Sequence, residues 1–282
     1  MTFKKIISIS RPRFWIYEFG TFLFGVLAGA TAVQSLLDPL VLLYGFYFLL
    51  PANILIYGIN DIYDYETDKL NPKKNAYEEL LTPAEHKTIW KSIIFTTTPF
   101  VLVSLFIPSS AFWAFCFFIF FATFYSAKPI RAKTKPFFDS FFSAGHYIAT
   151  GVFGYYLNGG TTFPYIGVIA GMLWAIAMHA YSAVPDITAD SQAGMQTIAT
   201  KFGGLKTLVL CALFYVAASV LAYSILGIIA LFCGLVYLAL MIISIKKRNS
   251  PDELFRIYTF FPYINMTIGM IITIVFLLRH VL

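Results

Sequence analysis

The sequence predicts an all-α membrane protein: a bundle of about nine transmembrane helices with the N-terminus on the cytoplasmic side, forming a single polytopic domain over residues 1–282. Three observations carry this. The chain is 59% hydrophobic and only 12% charged, with a mean hydropathy of +0.76, where soluble domains hold roughly 25% charged residues. Its apolar residues come in runs close to the ~20 residues that cross a bilayer as a helix. Its basic residues gather at the ends of alternate loops, as the positive-inside rule requires.

Taken in order, the expected spans are 14–33, 39–59, 88–107, 110–126, 137–157, 164–184, 207–226, 228–245 and 257–278. The uncharged run from Thr207 to Ile245 is too long for one crossing, and Gly227 supplies a tight turn within it. With the N-terminus inside, 20 Lys and Arg segregate so that only Arg279 falls on the outer side. One span more or fewer would break that segregation. The formal net charge of +6 does not indicate a nucleic-acid partner, because the basic residues flank apolar segments and form no separate basic region. Membrane lipids and an anionic substrate explain it better. Cys116, Cys211 and Cys233 lie inside apolar runs without metal-ligand spacing, and read as small buried hydrophobes. No short apolar stretch with a small-residue cleavage site precedes Arg11 and Arg13, so no cleaved leader is expected. A multi-pass protein of the cell membrane follows.

Two acidic clusters interrupt this apolar chain. In Asn60-Asp-Ile-Tyr-Asp-Tyr-Glu-Thr-Asp68, the carboxylates of Asp61, Asp64 and Asp68 are spaced i, i+3, i+7. If the preceding span stays helical, they share one face. Like charges ~6 Å apart repel by about 3 kcal/mol at an effective dielectric of ~20, so positive charge must sit among them. The second cluster, Asp186-Ile-Thr-Ala-Asp190, repeats the arrangement at i, i+4 after another apolar run. Carboxylates grouped without His or Cys suit a hard cation, and Mg²⁺ held by carboxylates and phosphate oxygens is the usual arrangement. A solvated acidic loop is the plainer reading of either cluster alone; two of them on the same expected membrane side favour metal. Asn53 and Tyr57 continue the face of Asn60 back into the span. The loop from Tyr125 to Pro136 adds Lys128, Arg131, Lys133 and Lys135, readable as flanking charge or as diphosphate ligands. His179, seven residues before Asp186, is compatible with a cavity or with packing, and Glu18 with an interfacial place near Arg13.

Asn60-Asp61-x-x-Asp64-x-x-x-Asp68 and Asp186-x-x-x-Asp190-x-x-x-Gly194-x-x-Thr197 resemble, at each of those positions, the paired aspartate motifs of the UbiA superfamily of intramembrane prenyltransferases. Arg11-Pro-Arg-Phe-Trp15, Asn71-Pro-Lys-Lys74, Tyr125-Ser-Ala-Lys-Pro-Ile-Arg131 and Pro185-Asp-Ile187 are most similar to its carotenoid-prenylating branch, the lycopene elongases. The resemblance implies Mg²⁺-dependent transfer from an allylic prenyl diphosphate to a lipophilic acceptor, a carotenoid such as lycopene or, alternatively, an aromatic quinone precursor. It implies metal and catalytic roles for Asp61, Asp64, Asp68, Asp186 and Asp190. Substrate-binding roles fall to Asn53, Tyr57, Asn60, Tyr125, Lys128, Arg131 and Lys133. Lys128 departs from the family pattern, in which Lys follows the Tyr by four residues; Pro129 stands there. A divalent-cation transporter is the alternative of another class. Against it, both clusters sit at one expected face, with no acidic path through mid-bilayer.

Overall fold

Wherever the apolar runs meet a capping residue or a proline, the chain starts or stops a helix. The computed structural model describes residues 2–69, 80–192 and 194–280, with no strand among them. Its internal contacts divide the chain into two compact units, Met1–Arg131 with Ala149–Thr161, and Ala132–Ile148 with Thr162–His280.

The first unit opens with α1 (Phe3–Ile9), whose N-cap Thr2 accepts a hydrogen bond from the Lys5 amide, and continues with α2 (Trp15–Gly29). The expected span 39–59 is two helices, α3 (Pro39–Leu49) and α4 (Pro51–Asp68). Hydropathy runs unbroken through this stretch, but Pro51 has no amide hydrogen and Leu50 leaves the helical region at φ −124°, ψ −61°. Asn53 answers the break: its amide nitrogen donates to the Phe48 and Leu49 carbonyls at 3.1 and 3.0 Å. Beyond it come α5 (Pro83–Ser104), started by a Thr82–Glu85 capping box, and α6 (Ser109–Ser126). Tyr44, Tyr47, Phe48, Phe118 and Phe153 are wholly buried at the centre of this unit.

Helix α7 (Phe138–Leu157) contributes its residues from Ala149 onward to the first unit. They approach α2 backbone to backbone: a Cβ on Gly25 would lie 1.8 Å from the Gly151 carbonyl oxygen, and one on Gly154 2.5 Å from that of Phe22. Among lipid tails apolar burial drives little, and such close contacts hold helices together. Gly151 and Gly154 therefore serve packing. Glu18 on α2 is buried, and its Oε2 accepts from Thr150 Oγ1 at 2.9 Å.

The second unit holds α8 (Tyr165–Ser182), α9 (Ile187–Gln192), α10 (Ile198–Leu226), α11 (Ile228–Lys247), α12 (Pro251–Tyr258) and α13 (Phe261–His280). Gly227 makes the expected turn at φ 64°. Helix α10 starts earlier than hydropathy indicates, crossing a kink at Gly203 before the apolar span. It packs on α8 and α11, and Tyr215 stacks on Tyr237 at 4.3 Å. Cys211 and Cys233 are buried, Cys116 half-buried, and all three thiols are free.

Six helical segments among the described residues are long and apolar enough to cross a membrane. All nine expected segments contain helix, but α2 has only 15 residues, α5 carries Lys87 and Lys91, and α7 carries Asp139, Ser140, Ser143, His146 and Thr150.

Candidate active site

Helix α4 runs unbroken through the first aspartate motif, so Asp61, Asp64 and Asp68 take the shared face that their spacing requires. Asp61 is 2% exposed and Asp64 4%. Each is held by a guanidinium: Arg11 Nη2 donates to Asp61 Oδ1 at 2.9 Å, and Arg131 Nη2 reaches Asp64 Oδ1 at 3.4 Å and the Tyr63 carbonyl at 3.3 Å. The positive charge expected among the carboxylates is thus arginine. Both arginines adopt left-handed backbone, at φ 52° and φ 45°, a strain of about 1–3 kcal/mol each that surrounding structure must hold in place and that clusters at functional sites. Arg11 also lies over the Tyr57 ring, 4.6 Å from its centroid. Asn60 donates to Ser126 Oγ at 3.1 Å, fixing α4 beside the end of α6, where Tyr125 is half-buried.

The second motif is built differently. Helix α8 stops at Ser182 and Pro185 intervenes, so Asp186 does not extend it; Asp186 instead begins the short α9, its carbonyl accepting from the Asp190 amide at 2.8 Å. Gly194, at φ 69°, ends that turn: its amide donates to Ser191 O at 3.1 Å and the Met195 amide to Asp190 O at 2.9 Å. This pair of bonds is the Schellman pattern, which favours glycine at the left-handed position. Thr197 then caps α10, with Thr200 returning the bond. Each non-acidic residue of Asp190-x-x-x-Gly194-x-x-Thr197 therefore has a backbone reason. A polar recess of about 330 Å³ lies along this loop, lined by Ser191, Gly194, Met195, Gln196, Thr200 and Lys201. In the same unit, Asp139 Oδ2 accepts the Ile198 amide at 2.9 Å and Ser140 Oγ shares a hydrogen bond with His179 Nδ1 at 3.2 Å.

Residues 19–268 match the model of the UbiA prenyltransferase family. The chain belongs to that family. A relative from Halobacterium salinarum named lycopene elongase/hydratase is 37% identical, with 96% of each chain covered. Another of that name from Corynebacterium glutamicum is 32% identical over 98% of each. Among solved structures, a UbiA homolog from Archaeoglobus fulgidus bound to DMAPP and Mg²⁺ superposes with a TM-score of 0.68 at 18% identity, covering 94% of this chain and 99% of that one. The protein is a multi-pass membrane prenyltransferase, an enzyme rather than a transporter.

Within this UbiA chain the structure brings Asp61, Asp64, Asn60, Tyr57 and Arg131 into one unit with Arg11; Asp186, Asp190 and Lys133 belong to the other. Lys128 is exposed beyond α6. The amide hydrogens of Asn53 go to the helix break rather than along a polar stripe. Asn71-Pro-Lys-Lys74 lies outside the described residues. Arg11 lies in the Arg11–Trp15 stretch that resembles the lycopene elongases, but its pairing with Asp61 was not legible, because in sequence an arginine that pairs with a distant carboxylate and a membrane-flanking one look alike. Among the described residues no three His, Cys, Asp or Glu side chains form a ready-made metal cluster. The donor chemistry nevertheless fits a hard divalent cation: the candidate ligands are carboxylate oxygens, two of them buried and already requiring countercharge.

Proposed function

We propose that this enzyme transfers a C5 prenyl group from dimethylallyl diphosphate to lycopene in a magnesium-dependent reaction. The observation that carries the chemistry is the pair of buried carboxylates, Asp61 and Asp64, each matched by a guanidinium on a helix that emerges from an apolar span. The carotenoid acceptor is supported by the identity to lycopene elongases over nearly the whole chain. The aspartates of both motifs hold the divalent metal, with Asn60 as a polar neighbour. Bound magnesium supplies positive charge to the departing diphosphate.

Arg131, Lys128 and Lys133 bind the diphosphate oxygens and balance their charge as the allylic C–O bond breaks, which is where such groups lower a barrier most. Tyr57 and Tyr125 offer ring faces to the allylic cation, worth ~0.5–2 kcal/mol. The membrane-embedded helices keep water from that cation. A terminal alkene of the acceptor then attacks it, and the cation this leaves on the acceptor loses a proton to the departed diphosphate, so no protein nucleophile is required. The enzyme sits in the cell membrane as one polytopic domain, with nine crossings and the N-terminus and both motifs cytoplasmic.

The test is expression in a host that makes lycopene and dimethylallyl diphosphate. Extracted carotenoids are expected to be heavier by one or two C5 units. Unmodified lycopene alongside a prenylated quinone precursor would overturn the acceptor while leaving the family intact.

A further inference from the structure

The segment carrying Asp186 and Asp190 has little helix of its own. Its six-residue α9 lies between two longer helices, with Ala183-Val-Pro185 after α8 and Gly194-to-Thr197 before α10. A loop so placed keeps its carboxylates in register only if both ends are fixed.

Two adjacent residues at the start of α7 reach both ends. Asp139 Oδ2 accepts the amide of Ile198, the first residue of α10, at 2.9 Å. Ser140 Oγ hydrogen-bonds His179 Nδ1, on the last turn of α8, at 3.2 Å. Both Asp139 and Ser140 are fully buried. His179 lies seven residues before Asp186, and Ile198 eight after Asp190. The Ile198 amide is one of the N–H groups that a helix start leaves without an intrahelical partner, and a carboxylate favours that end of the helix dipole. The bonds at Gly194 and Thr197 shape the loop from within, whereas those of Asp139 and Ser140 join its two ends to α7. A buried carboxylate in an expected membrane span is costly, and this one is placed where it fixes the loop.

We propose that Asp139 and Ser140 are positioning residues that clamp the two ends of the second aspartate motif and so set the geometry of Asp186 and Asp190. The inference rests on the reading of those two aspartates as metal–diphosphate ligands. Neither clamp residue touches substrate; they act through the loop they hold.

The experiment uses the full chain in lipid nanodiscs, with Mn²⁺ titrated by electron paramagnetic resonance, hydrogen exchange followed by mass spectrometry, and turnover measured against metal concentration. In Asp139→Ala, amides over 186–198 are expected to exchange faster while those over 60–68 keep their rates. Mn²⁺ binding should weaken roughly ten- to hundredfold, the range seen when a group that orients metal ligands is removed. Turnover should recover substantially at high metal. Asp139→Asn is expected to restore most of the binding and the slow exchange. Its carbonyl still accepts from Ile198, and its NH₂ replaces Oδ1, which is buried without a hydrogen-bond partner. Ser140→Ala gives a smaller change in the same direction. Unchanged exchange and Mn²⁺ binding in Asp139→Ala overturn the clamp, as does an Asp139→Asn variant as impaired as the alanine. If the alanine variant fails to insert, Ser140→Ala decides: wild-type exchange over 186–198 and wild-type Mn²⁺ binding sink the proposal. Asp186→Ala separates the two readings. If it keeps full Mn²⁺ binding and transfer, the ligand assignment itself fails; if it loses both while the clamp variants are silent, only the clamp fails.

Discussion

The first aspartate motif rides on eighteen residues of unbroken helix, Pro51–Asp68, and two of its carboxylates, Asp61 and Asp64, are paired with arginines in left-handed backbone. The second motif has a six-residue helix, a proline before it and a left-handed glycine after it, and takes its support from Asp139 and Ser140. In sequence the two look like repeats of one device. The comparison teaches that carboxylate spacing describes what a site presents, whereas rigidity comes from whatever lies behind it: a helix in one case, borrowed hydrogen bonds in the other.

The largest expected effect treats the motifs alike. Asp64→Ala or Asp186→Ala should each lower prenyl transfer by about a hundredfold or more, the scale of losing one stabiliser of a developing charge, at matched membrane expression. Near-normal turnover in one of them would show that only the other motif works in catalysis. Chelation should act on both together: turnover vanishes in EDTA and returns with Mg²⁺ or Mn²⁺, since hard oxygen ligands favour those ions. Turnover that persists in EDTA counts against metal at either motif.

The next effects should separate the motifs. Arg11→Ala leaves buried Asp61 without the guanidinium 2.9 Å away, and breaking such a pair costs about 3 kcal/mol. Thermal unfolding should register that loss. Arg11→Lys recovers little of it, because a lysine lacks the planar fork and the stacking on Tyr57. Gly194→Ala is milder. A Cβ there meets nothing within 4 Å, so the cost is only the left-handed backbone, about 1–2 kcal/mol. It should appear as faster hydrogen exchange around the second motif, with the first unaffected.

The smallest effect lies at the outer support of the first motif. Burial alone would raise the Glu85 carboxyl, but hydrogen bonds from Lys5 Nζ and from the Thr82 backbone and hydroxyl outweigh it and hold it at about 2, against an ordinary 4.5. Glu85 precedes the expected span, and its pairing with Lys5 pins α1, which leads into Arg11. Because the folded value is depressed, this support is complete above pH 4.5 and is lost as pH falls towards 2. Protection of residues 2–10 from proteolysis should follow that window, and Glu85→Gln should abolish the pH dependence.

Composition and periodicity were enough for the helical membrane class, the helicity of the first motif, the need for positive charge beside it and the turn at Gly227. They were not enough at Leu50–Pro51, where hydropathy is continuous and only the missing amide hydrogen of proline breaks the span. Asn53 read as a polar stripe because spacing reports a face and not what the side chain bonds. The second motif read as two carboxylates at i, i+4 after an apolar run, but spacing did not show that its helix is only six residues long. Asp139 gave no local signal at all: its partner, Ile198, is 59 residues away, and a single acidic residue at a helix start looks the same whether it caps a distant helix or faces water.

The seam at Gly25 and Gly151 has a consequence for how this scaffold can diversify. Where these two glycines meet, the helices touch backbone to backbone with no side chain to enlarge, trim or recharge, and any Cβ at Gly25 would collide with a carbonyl 1.8 Å away. Substitution there can only pry α2 and α7 apart; it cannot reshape a binding surface. Laboratory evolution towards a new acceptor should therefore leave this seam untouched and accumulate its changes on aromatic side chains elsewhere, and a library randomised at Gly25 should return glycine.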